Sequence, residues 1–122
     1  MATVLANTGK ALMTSRMKGL GVEPTYVAWG TGAGTAAATD TTLFTESAEA
    51  RVNGTSSQVT TTTTNDTYQV VGTITASAGR TITNAGLFDA SSAGNLFVKG
   101  DFTGVALNAG ESIQFTIGVQ LT

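Results

Sequence analysis

The chain has 122 residues, 41% of them hydrophobic and only 11% charged, with six cationic and eight anionic side chains for a net charge of −2. That length suits one domain with a modest core and leaves no room for a separate catalytic module. The absence of histidine and cysteine excludes imidazole and thiolate chemistry, disulfides and most zinc sites, and the scattered cations Lys10, Arg16, Lys18, Arg51, Arg80 and Lys99 offer no concentrated footprint for nucleic acid.

Residues 6–18 read as the one helix. Ala11, Leu12, Met13 and Met17 are good formers, Leu12 and Met13 share a face with Arg16 and Met17, Asn7 or Thr8 can cap the start, and Gly19 or Gly21 stops it. Met1, Met13 and Met17 give the segment an adaptable apolar surface, expected to pack on a sheet or a neighbour while Arg16 and Lys18 stay free for an acidic surface. Tyr26 to Trp29 is a compact strand running into Gly30-Thr-Gly-Ala-Gly-Thr35. The dinucleotide fingerprint would need glycine where Thr35 stands and no Gly-Lys-Ser/Thr follows, so these glycines are expected to punctuate a flexible connector.

Asp40 is placed to cap a short helical turn carrying Leu43 and Phe44, with Phe44 a core plug or an anchor for a neighbour. Glu46, Glu49 and Arg51 read as a solvated charge cluster, with no apolar surroundings to tune a catalytic carboxylate. Asn53-Gly54 signals a tight turn, which makes Ala50 to Val52 and Gln58 to Thr64 a hairpin or its irregular edge. The run Thr60 to Thr64 is β-branched without apolar contrast, so it suits an edge or an interface.

Asn65-Asp66 turns the chain into a strand over 67–76, with Tyr68, Val70, Gly72, Ile74 and Ala76 on one face. After a turn at Ser77 to Gly79, Ile82 and Phe88 are in step while Ala85 and Leu87 are not, which predicts a bulge near Asn84 to Gly86. Leu96 to Phe102 follows a loop, and Asn108 to Glu111 turns into Ser112 to Thr122. There Ile113, Phe115, Ile117, Val119 and Leu121 alternate with polar or small residues, the mark of a half-buried strand, expected to lie inside its sheet. One helix and about seven short strands indicate a mainly β fold, an antiparallel sandwich or small barrel: a single domain over 1–122, helical over 1–21 and a β-sandwich over 22–122.

So little charge admits two surfaces, one covered by partners and one kept soluble by Thr and Ser hydroxyls. No apolar run reaches membrane-spanning length and no signal-peptide core stands at the N-terminus, so a cytoplasmic origin without membrane contact is expected.

The helix around Asn7, Gly9 and Lys10, the YVAWGTG of Tyr26 to Gly32, the DTTLFTE of Asp40 to Glu46 with Arg51 beyond it, the NAGLFDA of Asn84 to Ala90 and the LNAGESIQFT of Leu107 to Thr116 resemble small structural proteins of tailed bacteriophages. The resemblance covers nearly the whole chain and implies a virion component assembled in the host cytoplasm, with no catalytic residue carried over. The first expectation is a capsid decoration (cement) protein, a homotrimer that binds the major capsid protein and ties capsomers together, with no cofactor, metal, nucleic acid or small-molecule substrate. The alternative is a small tail or fibre-base protein. Arg16, Lys18, Phe44, Thr60, Thr62 and Thr64 are the expected partner interface. From another class, a carbohydrate-binding module would stack sugars on Trp29, Tyr26 or Tyr68.

Overall fold

The computed structural model describes residues 2–122, in which β1 (Thr3–Leu5), α1 (Asn7–Met17), β2 (Tyr26–Gly30), β3 (Val52–Asn53), β4 (Thr55–Val59), β5 (Thr67–Thr75), β6 (Arg80–Phe88), β7 (Leu96–Leu107) and β8 (Ser112–Gln120) follow in order. Met1 lies outside the described residues. All strand pairs are antiparallel, and they form two sheets, one ordered β1-β7-β6-β2-β3 and one ordered β4-β5-β8. Period-two alternation points one face of each sheet at the other. Val27, Trp29, Ile82, Ala85 and Leu87 from the larger sheet meet Val70, Ile74 and the half-buried Ile113, Phe115, Ile117 and Val119 from the smaller. Trp29 stands edge-on to Phe115 with ring centroids 6.3 Å apart, and Tyr68 edge-on to Phe97 at 6.0 Å. The fold is therefore the mainly β sandwich that the alternation predicts, with eight strands because β1 is too short to show a period.

Three local expectations are corrected. Asn53-Gly54 is not a hairpin turn: Asn53 pairs with Tyr26 in the larger sheet and Thr55 with Val71 in the smaller, so one extended segment changes sheets at Gly54. A Cβ at Gly54 would lie 2.6 Å from the Val70 side chain, which explains the glycine by close approach. The Thr60 to Thr64 run is not a strand either, because β4 ends at Val59. Asp66 gathers the backbone N–H groups of Thr61 (2.9 Å), Thr62 (3.1 Å) and Thr63 (3.0 Å) onto its carboxylate, and this closes a turn that outcompetes β-branched propensity. Third, β8 pairs with β5 alone and is an edge strand, not an inner one.

The predicted change of phase in β6 is real. The register slips between Ile82 and Asn84 and again between Leu87 and Phe88, so Ile82, Ala85 and Leu87 face the smaller sheet while Phe88 joins Ala6, Ala28, Leu43 and Leu96 on the outer face. Residues 31–51 cover that outer face. Thr31 N–H donates to Thr45 O (3.0 Å) and Gly32 N–H to Phe44 O (2.9 Å), and a Cβ at Gly32 would fall 2.6 Å from Thr45 Oγ1. The glycine run is thus a packed irregular ladder instead of a flexible connector.

α1 starts after Ala6, without a side-chain cap, because the Thr8 hydroxyl donates to Leu96 O (2.6 Å) and ties the first turn to β7 instead. It buries Gly9 and Leu12, half-buries Met13, and leaves Arg16 and Met17 exposed. Gly19 and Gly21, at φ 84° and 75°, end it in the left-handed region.

Candidate functional site: an open strand edge

The residues expected to meet a partner stand on three elements, α1, residues 31–51 and the turn after β4. Phe44 packs on the outer face of the larger sheet beneath the Lys99 ammonium, 3.3 Å from its ring centroid, and so acts as the plug. Thr60, Thr62 and Thr64 are exposed on the Asp66 turn, where Thr60 Oγ1 accepts from Asn65 N–H (3.0 Å) and Thr62 Oγ1 from Gln120 Nε2 (3.1 Å). Arg16 and Lys18 are exposed at the end of α1, with Arg16 Nη1 donating to Gly21 O (3.0 Å). The proposed sugar-stacking Trp29 is 1% exposed and donates its indole N–H to Glu49 (3.0 Å), and the Tyr68 hydroxyl donates to Pro24 O (2.9 Å), so both aromatics serve the core.

The surface that stands open is the free edge of β8. Antiparallel partners alternate between hydrogen-bonded and non-bonded pairs. Ala76 N–H donates to Glu111 O (2.8 Å) and Leu121 N–H to Asp66 O (2.9 Å), on the same register as the β5–β8 ladder, so the odd-numbered residues of β8 bond to β5. Gln114, Thr116 and Gly118 therefore turn their N–H and C=O groups to the open side. Natural sheets guard such an edge with lysine, proline or a bulge. From Ser112 to Gln120 there is no charge, no proline and an unbroken register.

Beside this edge the two sheets part. A cleft of about 590 Å³ opens between β8 and the β1–β7 side of the larger sheet, with Leu5, Val98, Phe102, Phe115, Ile117 and Val119 among its lining. The alternation of Ile113 to Leu121 discloses β8 and its apolar face but not its place in the sheet, since alternation reports which side of a strand is buried and not how many neighbours it has. The site is equipped to pair backbone and bury apolar side chains.

Carboxylates here hold loops. Burial works to raise the Glu49 carboxyl, but hydrogen bonds from Ser47, Ser77 and Trp29 outweigh it and hold Glu49 well below the usual range. Backbone N–H groups of Thr63 and Thr61 lower Asp66, that of Ala36 lowers Asp101, and that of Ala37 together with Lys99 lowers Asp40. Lys99, 2% exposed, donates to Asp40 (3.0 Å) and to Thr42 O (2.8 Å). Of the Glu46, Glu49 and Arg51 group only Glu46 is exposed, while the Glu49 and Arg51 side chains are each 6% exposed. Arg51 bonds Glu46 through Nε and Nη2 (2.9 Å each), donates Nη1 to Ala90 O and Ala93 O, and lies 3.6 Å over the Phe88 ring. Arg80 reaches Glu49 at 3.1 Å.

Depressed carboxyl pKa values carry a sign. A group that binds its proton less readily folded than unfolded contributes stability above the ordinary carboxylate range, and that contribution is lost as pH falls through that range and below. Thermal melts at pH 7, 4 and 2.5 should therefore show a falling Tm that begins near pH 4, with Glu49→Gln flattening the acid limb. A melting temperature independent of pH over this range would contradict the assignment.

Residues 8–122 match the family described as Gp80, Podophage GP4 fiber I protein gp80. No curated protein and no solved structure matches the chain. The match spans nearly the whole sequence, including β8 and the covered outer face, and agrees with the resemblance read from the motifs. The chain belongs to the Gp80 podophage fibre protein family and is a small structural protein of tailed phages, a component of the virion.

Proposed function

We propose that this protein is a structural subunit of the tail or fibre apparatus, with no enzymatic activity, that joins further copies of itself through the free edge of β8. The observation that carries the reading is the nine-residue edge, uncharged and unguarded, beside an apolar cleft between the sheets. Such a strand spans ~30 Å, and the two sheet edges with the cleft between them about 20 Å, so a neighbour seated there would cover roughly 600 Å² per copy, about 1,200 Å² in all and within the range of specific interfaces.

Closed symmetry would cover the edge in every copy. β8 against β8 of a neighbour makes a pair with Thr116 opposite Thr116, and β8 against β1 of the next copy makes a ring, of which the homotrimer is the smallest. The reading without chemistry is supported by Asp40, Glu49, Asp66 and Asp101, which are held ionised in loop-closing hydrogen bonds and are poor general acids. No cofactor, nucleic acid, membrane or small-molecule substrate enters this role.

The tail or fibre reading takes precedence over capsid decoration and its major capsid protein partner because the family is described by a fibre protein. Gold-labelled antibody on intact virions tests it. Label confined to the tail region at tens of copies or fewer per particle is expected, and label spread over the shell at hundreds of copies would overturn it.

A further inference from the structure

All three ion pairs among the described residues, Lys99 with Asp40, Arg51 with Glu46 and Arg80 with Glu49, have a member in residues 31–51. Both cation–π contacts are there too, Lys99 over Phe44 and Arg51 over Phe88. Side chains of β6 and β7 complete the fastening. Asn84 Oδ1 accepts from Phe44 N–H (3.0 Å), Asn84 Nδ2 donates to Phe44 O (3.1 Å), and Asp101 accepts from Ala36 N–H (2.7 Å). Residues 31–51 contain no helix or strand of their own, and Ala36 and Leu43 are the only buried side chains among them. A segment held by charge and hydrogen bonds, lying on a domain held by apolar burial, can open without it.

We infer that residues 31–51 form a latched strap that opens as one unit in acid while the sandwich stays folded, uncovering the outer face of Ala28, Phe88 and Leu96. Acid acts on the strap because its latches are carboxylates set against poorly exposed cations. Asp40, Glu46 and Glu49 stand on the strap, paired with Lys99 of β7, Arg51 of the strap itself and Arg80 of β6. β7 adds Asp101, and β2 brings Tyr26 and Trp29, neither of which ionises in acid. Protonating the carboxylates leaves Lys99 and Arg51, at 1% and 6% side-chain exposure, as buried cations without a counter-charge, and opening returns both to water. Asp40, Glu49 and Asp101 bind protons less readily in the closed strap than in water. Their contribution is therefore present above the ordinary carboxylate range and is lost as pH falls through that range and below. The core between the sheets offers acid no such target, being aliphatic and aromatic. The remaining carboxylates, Glu23, Asp66, Asp89 and Glu111, lie between elements and make no ion pair among the described residues, so their protonation strands no cation.

Pepsin, which works in acid and cuts beside apolar and aromatic residues, tests this on the intact chain together with a naphthalene dye that lights up on apolar surface. As pH is lowered through the carboxylate range, the chain should gain dye binding and be cut at Leu43–Phe44 while far-ultraviolet circular dichroism still reports the full strand content. Cutting within residues 31–51 should run on the order of tenfold faster than in β5 or β6, because cleavage follows the open population. Asp40→Asn leaves Lys99 without a counter-charge at every pH and should raise the pH at which dye binding appears. Lys99→Met leaves no buried ammonium to be stranded and should lower it. Dye binding and loss of circular dichroism at one common pH, or first cuts spread over the strands, would overturn the inference, as would an opening pH that either variant leaves unchanged.

Discussion

Thr116→Pro should leave the subunit folded and dissolve its assembly. Proline removes one N–H, and at position 116 that N–H points away from β5, so no ladder bond is lost within the chain. The ring instead blocks the centre of the open edge. Losing two cross-subunit hydrogen bonds and the close approach of the strands amounts to about 3 kcal/mol, or roughly a hundredfold in the dissociation constant. Light scattering at micromolar concentration should report the monomer mass for the variant and a multiple of it for the parent, with far-ultraviolet circular dichroism unchanged. Gln114→Lys combined with Thr116→Lys should act in the same direction by setting charge on the edge. Variants that assemble like the parent would place the contact elsewhere.

Arg51→Ala should cause a large loss of stability on the covered outer face. One guanidinium holds Glu46 in a two-bond fork, two loop carbonyls and the face of Phe88, and its side chain is 6% exposed. Truncation leaves a carboxylate and two carbonyls without their donor and uncovers an aromatic ring. Removing a buried guanidinium with these charge-assisted hydrogen bonds costs about 3 kcal/mol, which for a domain of this size lowers Tm by roughly 10 °C. Arg51→Lys should recover only part of it, because an ammonium cannot reproduce the planar fork. If both variants melt within 2 °C of the parent, Arg51 is not what holds residues 31–51 to the sheet.

The elements that the sequence disclosed are those with a local period. Tyr26 to Trp29, the strand over 67–76 and the C-terminal strand were legible because alternation is written into adjacent residues, and α1 because good formers end at Gly19. What stayed hidden depends on distant partners. The Asp66 turn defeats the β-branched threonines only once its carboxylate is seen to collect three N–H groups, and Gly54 reads as a turn until Val70 is found against it. Arg51 and Glu49 looked solvated because the residues that enclose them, Phe88 and Trp29, lie far away in the chain. The open edge of β8 was hidden for the same reason, since edge position belongs to the sheet order.

Amide hydrogen exchange along β8 in the assembled protein tests the β8 contact most directly. In an edge strand the odd-numbered amides bonded to β5 exchange slowly and the outward ones quickly. If β8 pairs with a neighbouring copy, the amides of Gln114, Thr116 and Gly118 should be protected as strongly as those of Phe115 and Ile117, and the outward amides of β8 should lose that protection in the variant that combines Gln114→Lys with Thr116→Lys. Protection that alternates along β8 in the assembled protein, with Gln114, Thr116 and Gly118 exchanging freely, would contradict the account.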